Sequence, residues 1–267
     1  MKEIDVLTHD WRKEHPPTIN IYDSKVVFFA LLAVNFLELI ISRQETRNYF
    51  SVILGGGRTP KVLNPIIVEL AKTEVQTIDW NRVFIFFSDE RCVPPDHPDS
   101  NFKLNFDTLI EPLRIPQTNV FRILGEIGPE KAAADYHDKL SRFAGQQDIP
   151  VFDLVLLGLG TDGHTASLFP HSPALEEFKN FAAPAGPGPE GWERVTVTLP
   201  VFNAAKNAWI AATGAEKFEA VQQLIRGPYD PARLPAQAVR PQKGEMVYWL
   251  DSSIAASVGI PDEQKTI

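Results

Sequence analysis

The sequence has one cysteine, Cys92, in 267 residues. A lone thiol excludes an intramolecular disulfide and points to a reducing compartment, the cytoplasm. Positive charge is scarce as well: 26 Lys and Arg stand against 34 Asp and Glu, a formal charge of −8. A general nucleic-acid binder needs a basic surplus to displace counterions, so that class is excluded. A small anionic substrate is not excluded, because a site needs only a few basic groups locally. Internal repeats, low-complexity tracts and the basic-then-apolar layout of a signal peptide are missing too, and Met1–Pro17 is polar. The one long apolar run, Val26–Ile41, is interrupted by Asn35 and Glu38. It falls short of the about 20 residues of a spanning helix and reads as a helix buried against a sheet.

What is present is an ordinary globular composition, 44% apolar and 22% charged. Apolar strands are expected at Phe50–Leu54, Val83–Phe87, Val120–Ile123, Phe152–Leu157, Val195–Leu199, Ala208–Ala212 and Met246–Leu250. Helices are expected at Ser24–Arg43, capped by Ser24, then at Val62–Ala71, Phe102–Leu113, Glu130–Phe143, Glu216–Ile225 and Ser252–Val258. Pro170–Gly191, rich in Pro and Gly, reads as a long surface loop near a site. This alternation predicts an α/β fold, a mainly parallel sheet with helices on both faces. One domain is expected from residue 24 to 267, behind an N-terminal extension of residues 1–23. Ligands of such sheets bind beyond the carboxyl ends of the strands, so the loops that follow strands are the candidates.

Three such loops carry chemistry. Gly55-Gly56-Gly57-Arg58-Thr59-Pro60 joins a strand to a helix. Its glycines let backbone N–H groups approach an anion, the helix start favours negative charge, and Thr59 adds a donor. It lacks the Gly-Lys-Ser/Thr ending of a Walker loop and the spacing of a dinucleotide fingerprint. Taken alone, it fits a phosphate cradle or a tight turn equally well. The next strand ends in Ser88-Asp89-Glu90-Arg91. Asp89 and Glu90 are placed to orient hydroxyls or site residues, and Arg91 to bind an anion or an oxyanion. A solvated turn with a local ion pair is the bland alternative. Farther on, Ser100 or Asn101 opens a helix as its cap. The third loop is Gly158-Leu159-Gly160-Thr161-Asp162-Gly163-His164-Thr165-Ala166-Ser167-Leu168-Phe169-Pro170. A histidine in a glycine turn suits acid–base work, with Asp162 near enough to position it, although a structural turn histidine shares the pattern. No second histidine lies at ligand spacing, which weakens a metal reading, and Ser167 is in no nucleophile elbow.

Together the three loops resemble the 6-phosphogluconolactonase family, within the superfamily that includes glucosamine-6-phosphate deaminases. The resemblance rests on Gly56–Pro60, Asp89–Arg91 with Val93-Pro94 and His97–Asn101, and Asp153–Pro170. It continues at Arg194–Thr198, Thr213-Gly214 with Lys217, and Leu234–Gln237. Gly55 and Arg58 depart from it, standing where serines are frequent, and Cys92 stands where an aromatic residue is common.

The resemblance implies a Rossmann-like three-layer sandwich of the NagB/RpiA type. It also implies hydrolysis of 6-phospho-D-glucono-1,5-lactone, the second step of the oxidative pentose phosphate pathway, with no cofactor or metal. His164 is then the general base, with Arg91 and Asp162 as catalytic partners. The substrate-binding set is Gly56, Gly57, Arg58, Thr59, Asp89, Glu90, Asn101, Gly163, Arg194 and Lys217, in which Arg194 and Lys217 bind phosphate. The expected partner is the phosphorylated sugar lactone alone, with no nucleic acid and no membrane, for a monomer or weak homo-oligomer. Two alternatives are a glucosamine-6-phosphate deaminase/isomerase and a non-catalytic sugar-phosphate-binding protein. The deaminase branch typically carries a glutamate after its Gly-His, where this chain has Thr165-Ala166-Ser167. A DNA-binding sensor would need a helix-turn-helix, for which the residues before Ser24 are too few.

Overall fold

The structure, a computed structural model, describes residues 4–73 and 78–254. The chain opens with α1 (Ile4–Thr8), β1 (Thr18–Tyr22), α2 (Lys25–Arg47), β2 (Phe50–Leu54) and α3 (Arg58–Thr73). It continues through β3 (Val83–Phe87), β4 (Asp89–Arg91), α4 (Asn101–Asn105), β5 (Val120–Phe121), α5 (Pro129–Ala144) and β6 (Leu154–Gly158). The rest comprises β7 (Ala182–Pro184), β8 (Arg194–Val197), α6 (Leu199–Ala204), β9 (Asn207–Ala212), α7 (Phe218–Arg226) and β10 (Glu245–Asp251).

Seven strands form one sheet in the order β1-β10-β9-β6-β2-β3-β5, and every neighbouring pair is parallel. A parallel sheet covered on both faces needs continuous apolar strands, which β3 (Val-Phe-Ile-Phe-Phe) and β6 (Leu-Val-Leu-Leu-Gly) provide. The register Phe50↔Val83 and Ser51↔Phe84 sets Phe50 and Phe86 on opposite faces. Phe36 of α2 meets Phe50 with ring centroids 6.0 Å apart, and Phe143 of α5 meets Phe86 at 4.8 Å. Helices therefore cover both faces, and the fold is a three-layer α/β sandwich.

The long apolar run lies within α2. Ser24 caps the helix, its Oγ accepting the Val27 N–H at 3.2 Å, a bond worth about 1 kcal/mol. Phe28, Leu32, Phe36 and Ile40 recur every four residues and are buried, each stabilising by about 1.5–3 kcal/mol. By length and composition this helix is apolar enough to cross a membrane. Its buried stripe instead packs on Tyr22 and Phe50 of the sheet.

A second, antiparallel sheet runs β4-β8-β7. It is joined to the end of β3 by the Val197 N–H, which donates to Ser88 O at 2.7 Å. Here the structure departs from the sequence reading. Asp89–Arg91 is a strand rather than a loop, the strand at 194–197 belongs to this second sheet, and Pro170–Gly191 contains β7. Three-residue strands made of charges or of Ala-Ala-Pro carry no apolar period to read. Thr18–Tyr22, assigned to the N-terminal extension, pairs with β10 at the edge of the main sheet. The helix expected at Phe102–Leu113 is α4 followed by a π-helical turn, Phe106–Ile110. The helix expected at Ser252–Val258 falls mostly outside the described residues.

The connectivity decides where the site lies. From β2 the chain moves outward to β3 and β5, then returns to β6 on the other side of β2. The crevice beyond the ends of β2 and β6 is therefore the topological switch point, the usual ligand position in such sheets. The glycine loop leaves β2 there and the glycine–histidine loop leaves β6.

Candidate active site

The histidine is held by the local turn. Gly163 N–H donates to Gly160 O at 3.1 Å, and Gly163 takes φ 83°, a conformation that favours glycine. A Cβ on Gly160 would lie 2.1 Å from His164 Nδ1, so glycine there makes room for the imidazole. Asp162 Oδ1 accepts the His164 backbone N–H at 3.1 Å and lies 2.6 Å from Nδ1. A carboxylate can only accept, so Nδ1 donates in this bond, which leaves Nε2 as the acceptor nitrogen of the neutral ring. Burial pushes the Asp162 carboxyl upward, but the hydrogen bond and charge of His164 outweigh it, and its pKa falls below the ordinary carboxylate value. Phe169 links this pair to the basic wall. Its ring is 4.9 Å from the His164 ring and 5.6 Å from the Arg194 guanidinium carbon.

The basic wall comes from the second sheet. Side chains of β4 alternate between two sides. Asp89 is buried; its Oδ1 accepts from Ser88 Oγ at 2.8 Å and its Oδ2 from Ser167 Oγ at 2.7 Å and Arg194 Nη1 at 3.4 Å. Glu90 turns away from the cleft and takes the N-terminal donors of α4. Its carboxylate accepts from Asn101 N at 2.7 Å, Phe102 N at 2.8 Å, Ser100 Oγ at 3.0 Å and Arg91 N at 2.8 Å. Burial pushes the Glu90 carboxyl up, and the three backbone donors only partly offset it. Arg91 returns to the cleft side, with Nη1 donating to Asp99 O at 2.9 Å and Asn101 Oδ1 at 2.5 Å. Asn101 is fixed in turn by Nδ2 donating to Asp89 O at 2.9 Å.

The opposite wall is the glycine loop and the turn after β9. Gly57 adopts φ 84°, and Arg58 begins α3, whose N-terminus faces the cleft. The exposed Arg58 reaches Glu216 at 2.8 Å, so it bridges the two loops at the rim. Lys217 is half-buried in the same cleft, and burial holds its ammonium pKa below the ordinary 10.5.

One cleft thus gathers Gly56, Gly57, Arg58, Thr59, Asp89, Arg91, Asn101, His164, Arg194 and Lys217. Three expected residues lie outside its wall: Asp162 behind His164, Glu90 under α4, and Gly163, which shapes the turn beneath Leu234. Ser167 and Glu190 escaped the sequence reading as partners of Arg194, as did Ala166, which lines the cleft at φ 51°. Ala166 and Ser167 lie inside the glycine–histidine motif, but Glu190 gave no signal beyond a charge in a Pro/Gly loop. Among the described residues, no group of three or more His, Cys, Asp and Glu side chains is placed to hold a metal.

A parallel α/β sandwich with an Asp–His pair and a basic wall at its switch point defines a class of α/β proteins whose ligands bind beyond the strand ends. A family model described as glucosamine-6-phosphate isomerases/6-phosphogluconolactonase matches residues 23–249, and the chain belongs to that family. It is 35% identical over 251 residues to a 6-phosphogluconolactonase of Rattus norvegicus, covering 93% of this chain and 96% of the relative. It is 34% identical over 240 residues to one of Synechocystis sp., covering 88% and 95%. The solved 6-phosphogluconolactonase of Trypanosoma brucei superposes with TM-score 0.79 at 27% identity, covering 92% of this chain and all of that one.

Proposed function

We propose that the chain hydrolyses 6-phospho-D-glucono-1,5-lactone to 6-phospho-D-gluconate, as a cytoplasmic enzyme that uses no metal. The observation that carries this reading is the Asp162–His164 pair in one cleft with the glycine loop, Arg91, Arg194 and Lys217. Its partner is the small phosphorylated lactone, with no nucleic acid or membrane, and the chain acts as a monomer or weak homo-oligomer. The 6-phosphogluconolactonase relatives favour this substrate over an amino sugar, and no glutamate follows His164 in its loop.

The start of α3, Arg194 and Lys217 hold the phosphate, and that binding aligns the far end of the sugar. His164 Nε2 takes a proton from water as the water oxygen adds to the lactone carbonyl. Asp162 keeps the ring in this tautomer and steadies the imidazolium. Arg91 faces the developing oxyanion, a donor role worth about 3 kcal/mol. The imidazolium then gives its proton to the ring oxygen as the ester C–O bond breaks.

The test is the rate of acid release from the lactone above the spontaneous rate. The purified chain accelerates it, and His164→Ala loses most of that acceleration. Ammonia release from glucosamine 6-phosphate, or binding of sugar phosphates with neither turnover, overturns the reading.

A further inference from the structure

Arg194 has two carboxylate partners of different kinds. Asp89 is buried, its side chain 6% exposed, and is tied down by Ser88 and Ser167. Glu190 is 53% exposed; it accepts from Arg194 Nη2 at 2.5 Å, and its other oxygen lies 3.9 Å from Arg91 Nη2. Asp89 is the standing counter-ion of a buried guanidinium. Glu190 is a second one, open to solvent and therefore exchangeable.

The position of Glu190 is built into a hairpin. β7 and β8 pair in antiparallel fashion, and beyond them Gly188 N–H donates to Trp192 O at 2.9 Å and Gly191 N–H to Gly188 O at 2.8 Å. Pro189 and Glu190 form the corner of this turn, a position that suits proline, and Gly191 follows at φ 83°. Gly188 lies against Arg194, where a Cβ would come within 2.3 Å of Nε. Trp192 pins the tip, its Nε1 donating to Asp99 Oδ2 at 3.1 Å and its ring meeting His97 edge-on at 5.3 Å. The turn so held brings Glu190 into the wall of the cleft that contains His164.

We propose that Glu190 is an internal anion that occupies the phosphate subsite of the free protein, and that a ligand phosphate binds by displacing it from Arg194. The proposal rests on the assignment of Arg194 to phosphate made above. A guanidinium edge pairs with a carboxylate or a phosphate in the same geometry, so the two compete for Nη2. A dianionic phosphate has more charge and more acceptor oxygens than the carboxylate it replaces. Any anion that uses Nη2 must displace Glu190, so the carboxylate weakens phosphate and carboxylate ligands by the same factor.

The test is titration of the full chain with inorganic phosphate and with acetate, followed by calorimetry or ³¹P NMR. Glu190→Gln is expected to bind phosphate about fivefold more tightly than the native chain, the size of one part-exposed charge pair. Acetate affinity should rise by the same factor, because it competes for the same guanidinium edge, and Glu190→Ala should give the same gains. Glu193→Gln removes the same charge from an exposed neighbour on the hairpin and should leave both affinities near native. Equal or weaker phosphate binding by both Glu190 variants overturns the proposal, and so does an equal gain in Glu193→Gln. These titrations need no turnover. A gain without lactone hydrolysis would overturn the reaction and spare the exchange; hydrolysis without a gain would do the reverse.

Discussion

Gly56 and Asn101 are in direct apposition: a Cβ built on Gly56 would lie 1.7 Å from Asn101 Oδ1 and 2.2 Å from Cγ. Asn101 has little freedom to retreat, since Nδ2 is bonded to Asp89 O and Oδ1 accepts from Arg91. Gly56→Ala is therefore expected to push Asn101 aside and release Arg91. Overpacking of this kind costs about 1–3 kcal/mol of stability, and a loss of that size in transition-state binding would lower kcat/KM for lactone hydrolysis by about 5–150-fold. Steady-state kinetics of the variant check this, and a rate within twofold of native would refute it.

The Asp162–His164 pair predicts two graded losses. His164→Ala should lower turnover by about 10²–10⁴-fold while phosphate affinity persists. Asp162→Asn should also lower turnover, because an amide offers Nδ1 no anionic acceptor and no longer fixes the tautomer. Pairing rate measurements with a phosphate titration separates loss of chemistry from loss of binding.

Lys217 gives the site an alkaline limit. Burial lowers its pKa, so in the free protein the ammonium loses its proton below the ordinary 10.5. Anion affinity should be intact on the neutral side and fall as pH rises through that lowered value. Sulfate, whose charge is constant in this range, is the suitable probe. Lys217→Arg should move the fall to higher pH, since a guanidinium stays charged there. A sulfate affinity independent of pH up to the ordinary lysine range would count against Lys217 as a ligand.

Tyr136 of α5 predicts a stability effect that reaches the site from behind. Its buried hydroxyl accepts the Phe87 N–H at 2.7 Å and donates to Phe87 O at 3.0 Å, satisfying the last residue of β3. Tyr136→Phe removes both of these buried bonds and should cost about 1–3 kcal/mol in a urea unfolding curve.

The sequence announced six of the seven strands of the main sheet because they are apolar runs, and β2 and β3 have the boundaries their runs suggest, whereas β1, Thr-Ile-Asn-Ile-Tyr, carries no such run. The second sheet was illegible for a physical reason. Asp89, Glu90 and Arg91 are ionic, and their strand is set by pairing with Arg194–Thr196 more than a hundred residues away. Once that pairing is known, the triplet makes sense. Alternation sends Asp89 and Arg91 towards the cleft and Glu90 towards α4, so one of the three expected site acids is a helix anchor. Glu190 was hidden in another way, because hairpin geometry alone distinguishes a carboxylate aimed at Arg194 from one in solvent.

The cleft wall is drawn from the ends of β2, β3, β6 and β9 and from the small antiparallel sheet. No contiguous stretch of the chain owns a binding site, and the site exists only when distant segments have docked. A bound anion then works as a keystone across the fold. At a hundred times its dissociation constant it should raise the unfolding free energy by about 2.7 kcal/mol. Amide exchange should slow together at the ends of all four strands, including those whose side chains never touch the ligand.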